Sequence, residues 1–370
     1  MKQVFIQQSH IISPLGFSTD ENFKALCDGR TGIQSTRFAD PIGSIYSGKI
    51  NEEAFASYFQ TIDTNFIGPR IEQYAIAALH SLIKERGISD QTLLILSTTK
   101  GNVKALEQNA LQEAHLFETA SHIQQYFGFK RKPIVISNAC VSGVMALSVA
   151  KRFLQMNQAE DAFVVAFDEL SPFVISGFQS FQAMSNEVCQ PYDQDRKGVN
   201  LGEAAVAVYL STKQEENSVE IAGDANINDA NHISGPSRTG EGLFLSIDKA
   251  MQEAKITSSM IDFVSLHGTA TLYNDEMESI ALQRADLLHA PVNSLKGYYG
   301  HTLGASGLLE TAITIECMRK NVLLPSFGFQ NLGVSQPIQV ITKKQSQPIH
   351  YALKTASGFG GSNSAIVLKK

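Results

Sequence analysis

Four cysteines in 370 residues (Cys27, Cys140, Cys189 and Cys317) lie far apart, with no CxxC pair among them. That scarcity excludes a disulfide framework and a metal site of closely spaced thiols, and fits reduced thiols in a cytosolic compartment. A basic excess is missing as well. Thirty Lys and Arg stand against 36 Asp and Glu, a net charge of −6, which argues against a general nucleic-acid surface. No apolar run approaches the length of a membrane span. Met1-Lys2-Gln3 leads straight into an apolar strand without an h-region or cleavage site, so a cytoplasmic, soluble protein is expected. Charged residues make up only 18% of the chain and hydrophobic ones 43%, as in a protein with much buried strand and helix. A chain of this length supports a large core and two domains or two fused halves.

What is present is a recurring order of elements. Val4 to Ser9 reads as a strand, and a helix capped by Ser18 follows to about Cys27. Residues 34–67, mixed and rich in Ser and Phe, read as a surface excursion. Glu72 to Arg86 has a helical period and ends at Gly87. Buried strands are expected at Leu93–Leu96, Ile134–Ile136, Ala162–Phe167 and Ala204–Leu210. After the charged stretch Lys213–Asn217 the plan repeats. Asp262–Leu266 takes the part of Leu93–Ser97, and Pro291–Leu295 that of Pro133–Ser137. A small-residue helix from Gly304 to Lys320 takes the part of the one near Cys140. Tyr351–Lys354 and Ser364–Leu368 close the second half. Strands separated by helices predict two mixed sheets in a layered α/β/α/β/α body, with halves at 1–212 and 213–370.

Four sites carry possible chemistry. Cys140 sits where the strand Ile134–Ile136 turns into a helix, so it faces the positive end of a helix dipole, which favours a thiolate. Ser142, Gly143 and Ala146 keep that helix slim enough to be packed centrally. His267 leaves a buried strand into Gly268-Thr269-Ala270-Thr271, and His301 lies within Lys296–Gly307, a stretch with four glycines. Ser357–Asn363 is a glycine-rich link between two strands. Each has a plainer reading when taken singly: a structural cysteine, a hydrogen-bonded histidine, a tight turn, a hairpin. His80 and His232 are read as structural or exposed. Together, a thiol and two loop histidines match acyl transfer from a thioester. The thiolate accepts the acyl group, two neutral imidazoles donate to one developing oxyanion, and backbone N–H groups hold another.

The combination NACVSG, HGTAT followed by Asn274-Asp275, KGYYGHTLGASG and GFGGSN resembles the elongating β-ketoacyl-acyl carrier protein synthases. These are Cys-His-His condensing enzymes of the thiolase-like superfamily. The likeness runs nearly end to end, through SPLG and DGRTGI near the start and YDQDRKGVNLGEAA in the middle. It implies the duplicated five-layered thiolase-like fold. It also implies a decarboxylating condensation of an acyl group on Cys140 with a malonyl carrier protein, and neither metal nor cofactor. By the same resemblance His267 and His301 promote decarboxylation, supported by Lys296 and Glu310. Thr269 and Thr271 bond the pantetheine arm, Phe359 is the gating aromatic whose N–H shares the oxyanion hole with that of Cys140, and Phe178 walls the acyl pocket. Arg196 borders the entrance, and Arg196-Lys197 and, separately, Lys130-Arg131-Lys132 are candidate contacts for an acidic carrier protein. Such enzymes are usually dimers, so a homodimer or a ketosynthase heterodimer is expected.

The chain departs from the family pattern at four places. Ser357 replaces the first aromatic of the gating motif, Lys197-Gly198-Val199 replaces an Asp-Gly-Phe, Gly101–Arg131 is short, and Ser97–Lys100 lacks glycine. These leave the catalytic set intact and touch the acyl pocket, so a fatty acid, polyene or polyketide-like product is equally compatible. A chain-length-determining partner subunit would lack the nucleophile. A thiolase would carry a second cysteine near the last glycine turn, and an initiating synthase would have asparagine where His301 stands.

Overall fold

The computed structural model describes residues 2–230 and 235–370; His232 lies outside them. Eleven strands hydrogen-bond into one run. Those before residue 212 are β1 (Phe5–Ile12), β2 (Leu93–Ser97), β3 (Ile134–Ile136), β4 (Asp161–Asp168) and β5 (Ala204–Ser211). Those after it are β6 (Val219–Asn228), β7 (Phe263–Ser265), β8 (Pro291–Asn293), β9 (Gln339–Val340), β10 (Tyr351–Gly358) and β11 (Ser362–Lys369). The spatial order is β3-β2-β4-β5-β1-β6-β11-β10-β7-β8-β9.

Read outward from the middle, each half has two antiparallel pairings followed by parallel ones. The two mixed sheets expected from the sequence are therefore present. They meet edge to edge, because Phe5 pairs with Glu220 and Ile6 with Val219.

The main helices are α1 (Arg70–Arg86), α2 (Ser142–Gln155), α3 (Pro172–Ser180), α4 (Glu241–Ala254), α5 (Leu272–Arg284) and α6 (Ser306–Lys320). Helices α2 and α6 form the middle layer and share one apolar core with both sheets, in which Val144, Leu147, Leu308 and Ala312 meet Val164 and Ala356. Helix α1 covers the outer face of the first sheet, and α4 and α5 that of the second. Five layers result, as the periodicities predict. Glycine makes the central crossing possible. A Cβ on Gly143 would stand 2.6 Å from the Leu308 N, and one on Gly307 3.0 Å from the Val144 N.

Residues 34–67 are not a mere excursion. Gln34–Arg37 and Ser44–Gly48 form a hairpin that pairs with Leu201-Gly202. Helix Glu52–Gln60 buries Phe55 and Phe59 against α1, with Phe55 edge-on to Tyr74 at 4.6 Å. Those partners lie far along the chain, so no local pattern announces them. No helix among the described residues is long and apolar enough to cross a membrane.

Candidate active site

Strand β3 ends and the chain turns through Asn138-Ala139 into α2. Ala139 sits at φ 44°, a left-handed conformation that L residues rarely adopt and that is found where a side chain must be aimed. Ser142 braces the turn, accepting from the Asn138 N–H at 2.8 Å and donating to the Ala139 carbonyl at 2.6 Å. Cys140 is thereby presented, 7% exposed, two residues ahead of the first helical turn.

From the other half come the histidines. His267 leaves β7, and its loop is held by Glu278 of α5, whose carboxylate accepts the N–H of His267 at 2.8 Å and of Gly268 at 2.7 Å. His301 comes from the turn before α6. Its Nε2 lies 2.9 Å from the Cys140 Sγ, and the two imidazoles stand edge to face with centroids 5.1 Å apart. The sulfur and one nitrogen of each ring all lie within 4.8 Å of one another. The juxtaposition expected from three separate motifs is therefore present.

The ring of His301 is oriented by two donors. The Leu303 N–H reaches its Nδ1 at 3.3 Å, and the Ser306 Oγ lies 2.9 Å from the same atom. A backbone donor at Nδ1 leaves the ring proton on Nε2, which faces the sulfur. Burial holds both histidines well below the usual imidazole range, and the Lys296 ammonium pushes the same way, so both rings are neutral.

The cysteine differs from its expectation. Burial pushes the Cys140 thiol up to about 11, while Lys296, Lys100 and the Phe359 N–H pull it back only in part. Removal from water outweighs the helix end, and the resting pair is a neutral thiol and a neutral imidazole. Three such donors also raise the question of a metal. A tetrahedral zinc site spaces its ligands about 3.5 Å apart, and the 2.9 Å between Sγ and Nε2 is instead a hydrogen-bond separation.

Lys296 and Glu310 are both buried and form an ion pair behind the imidazoles. Phe359 follows β10 and is 41% exposed; its ring lies 5.8 Å from that of Phe178 and 5.4 Å from that of Phe181. Thr269 and Thr271 bond each other at 2.8 Å and line a cavity of about 510 Å³ that reaches Cys140, His267 and His301. A second cavity of about 500 Å³, lined by Phe173, Val174, Phe178 and Leu303, meets the first at Cys140.

Arg196 lines the larger cavity, yet its side chain is only 4% exposed. Its guanidinium is taken by the carbonyls of Asp193 at 2.8 Å and Gly333 at 2.7 Å. It is a wall residue, not a free surface cation. Lys197, which is exposed on the same cavity's rim, pairs with Glu187 at 2.7 Å. Lys130, Arg131 and Lys132 line neither cavity.

Sequence reasoning missed three supports. Glu278 lies one helical turn beyond Asn274. Ser306 sits within the quoted KGYYGHTLGASG stretch. Lys354 is the lone charge in the apolar strand Tyr351–Gly358, and a lysine there is itself a signal, because a buried ammonium needs partners.

Two family models match the chain: the N-terminal domain of beta-ketoacyl synthases over residues 1–216 and the C-terminal domain over 219–330. The 3-oxoacyl-(acyl-carrier-protein) synthase 2 of Vibrio cholerae is 26% identical over all of this chain and 99% of its own length. Two solved structures at 21% identity share the fold. One is a type II polyketide synthase acyl-carrier protein in complex with its ketosynthase bound to the hexaketide, at a TM-score of 0.88 over 100% of this chain and 99% of that one. The other is the ishigamide ketosynthase/chain length factor, at 0.89 over 100% and 99%.

Proposed function

The chain belongs to the β-ketoacyl synthase family, and from that premise we propose that it joins an acyl group, held on Cys140, to a malonyl unit on acyl carrier protein with loss of CO2. The observation that carries this reading is the meeting of one thiol and two neutral imidazoles at the junction of two cavities.

In the first half-reaction the Cys140 sulfur attacks the acyl thioester. The carbonyl oxygen is held by the N–H groups of Cys140 and Phe359, His301 Nε2–H steadies the sulfur as it loses its proton, and that proton leaves with the carrier's thiol. In the second, the malonyl carboxylate departs as CO2. The electron pair left on carbon is delocalised onto the thioester oxygen, which accepts from His267 and His301. That carbon then attacks the acyl carbonyl on Cys140. The β-ketoacyl product stays on the carrier, and the expelled cysteine sulfur regains a proton.

Lys296 and Glu310 hold the His301 turn in charge balance. Thr269 and Thr271 meet the pantetheine arm in the larger cavity, and the acyl chain lies along Phe178 in the smaller one. The nucleophile belongs to a unit at 1–212 and the histidines to one at 213–370. The partner is an acyl carrier protein, as in the solved carrier–ketosynthase complex. Among the described residues strand β3 is paired on one side only and is half-buried, and a second protomer, identical or a ketosynthase-like partner, covers that edge. A cytoplasmic location and a fatty acid, polyene or polyketide-like product complete the reading.

Intact-mass analysis with a panel of acyl-carrier thioesters tests it. Acyl mass should appear on the wild type and never on Cys140→Ala. His301→Ala should load slowly but to completion, and release CO2 from malonyl carrier roughly a hundred- to a thousandfold more slowly. Undiminished CO2 release in that variant would remove the assigned role.

A further inference from the structure

We propose that Lys354 is a positioning residue for the decarboxylation step, a strut that fixes the His267 loop against the His301 loop. The inference rests on the reading just given, and it concerns a residue outside the quoted motifs.

Lys354 lies on β10, fully buried, in parallel register with Ser265 of β7. Its Nζ donates to the carbonyls of Ser265 and Leu266, each at 3.2 Å, and to that of Thr355 at 2.6 Å. The first two are the last carbonyls before His267. The same ammonium forms an ion pair with Glu310 Oε2 at 2.7 Å. The other oxygen of Glu310 holds Lys296, five residues ahead of His301. One continuous polar chain therefore runs from the backbone under His267, through Lys354, Glu310 and Lys296, to the turn that carries His301.

A buried ammonium is costly unless its partners are fixed, and these partners belong to β7 and α6, the elements that place the two rings. Decarboxylation needs both imidazoles on one oxygen, whereas loading needs Cys140, the Phe359 N–H and His301. A strut between the histidine loops should serve the first process more than the second.

Charge points the same way. Around this ammonium stand Glu310 and Lys296, and Glu278 of α5, whose Oε1 lies 3.4 Å from the Thr355 hydroxyl. Next to Glu278 lies Asp275, which accepts from the Tyr192 N–H and faces Arg196. Lys354, Lys296 and His301 each disfavour a proton on His267, so loss of the Lys354 charge lets that ring protonate more readily.

The test compares Lys354→Met with Lys354→Gln in the full-length protein. Intact-mass loading of Cys140 should stay within about twofold of wild type in both. CO2 release from malonyl carrier should fall roughly ten- to a hundredfold in Lys354→Met, and less in Lys354→Gln, whose amide still donates to carbonyls. In both variants the acid limb of the decarboxylation pH profile should move up toward the ordinary histidine value. A general packing defect would slow both half-reactions equally and leave that limb in place, and such a result overturns the proposal. So does wild-type decarboxylation in Lys354→Gln with an unmoved limb, which remains decisive if Lys354→Met does not fold. A wild-type protein that loads acyl groups but never releases CO2 would instead sink the function reading.

Discussion

The two halves share a strand order and differ in what they place at the inner helix. In the front half α2 is preceded by a thiol, and the charges of that half that act on it are Lys100 and Asp168. In the back half α6 is preceded by His301 and surrounded by Lys296, Glu310, Lys354 and, behind His267, Glu278. One half supplies the thiol, and the other supplies the two imidazoles and the polar frame behind them. Duplication makes this division workable. Strand ends from both halves open toward the same central point, so a thiol and two imidazoles far apart in the chain can be set together on rigid elements.

The largest test of that contrast is the state of the thiol ahead of α2. Only the thiolate reacts with iodoacetamide, and a thiol at about 11 is protonated throughout the neutral range. Cys140 alkylation, followed by peptide mass, should therefore climb about tenfold for each unit of pH between roughly 7 and 10. A rate already level at pH 7 would mean that the frame of the back half holds the sulfur as an anion at rest.

Next in size is the crossing of the two inner helices. Gly143→Ala forces a methyl against the Leu308 backbone, and thermal or denaturant unfolding should show a loss of about 1–3 kcal/mol. Gly307→Ala touches the same contact, so the double variant should lose less than the sum of the singles. Additive losses would mean that the crossing relaxes at each glycine separately.

The smallest effect is expected at Ser306. Without its hydroxyl the Leu303 N–H still reaches His301 Nδ1, so Ser306→Ala should slow CO2 release only about three- to tenfold and leave the melting temperature nearly unchanged. A hundredfold drop would make Ser306 as necessary to the ring as the backbone donor.

Much of the frame was legible because its signals are local. The 3.6-residue period of Glu72–Arg86 and the apolar run Ala162–Phe167 each name an element, and the structure extends them by only a residue or two, to Arg70–Arg86 and Asp161–Asp168. The site was legible as four motifs whose meeting required the fold. What escaped depends on distant partners. The pairing of Ser47 with Leu201 spans most of the front half, and the state of Cys140 is decided by burial that a junction motif does not reveal. Lys354 escaped because its apolar neighbours mark a strand, and a strand reading passes over the one residue that breaks its composition.

Three non-glycine residues near the centre, Ala139, Ala270 and Leu303, keep a left-handed backbone. Glycine would occupy those positions more comfortably, so the sequence most at ease in this shape is not the one found. A selection for heat tolerance alone should drift toward glycine at these three points and gain sturdiness while losing aim. Sequences that retain bulk there would then identify themselves as chains still under demand for turnover.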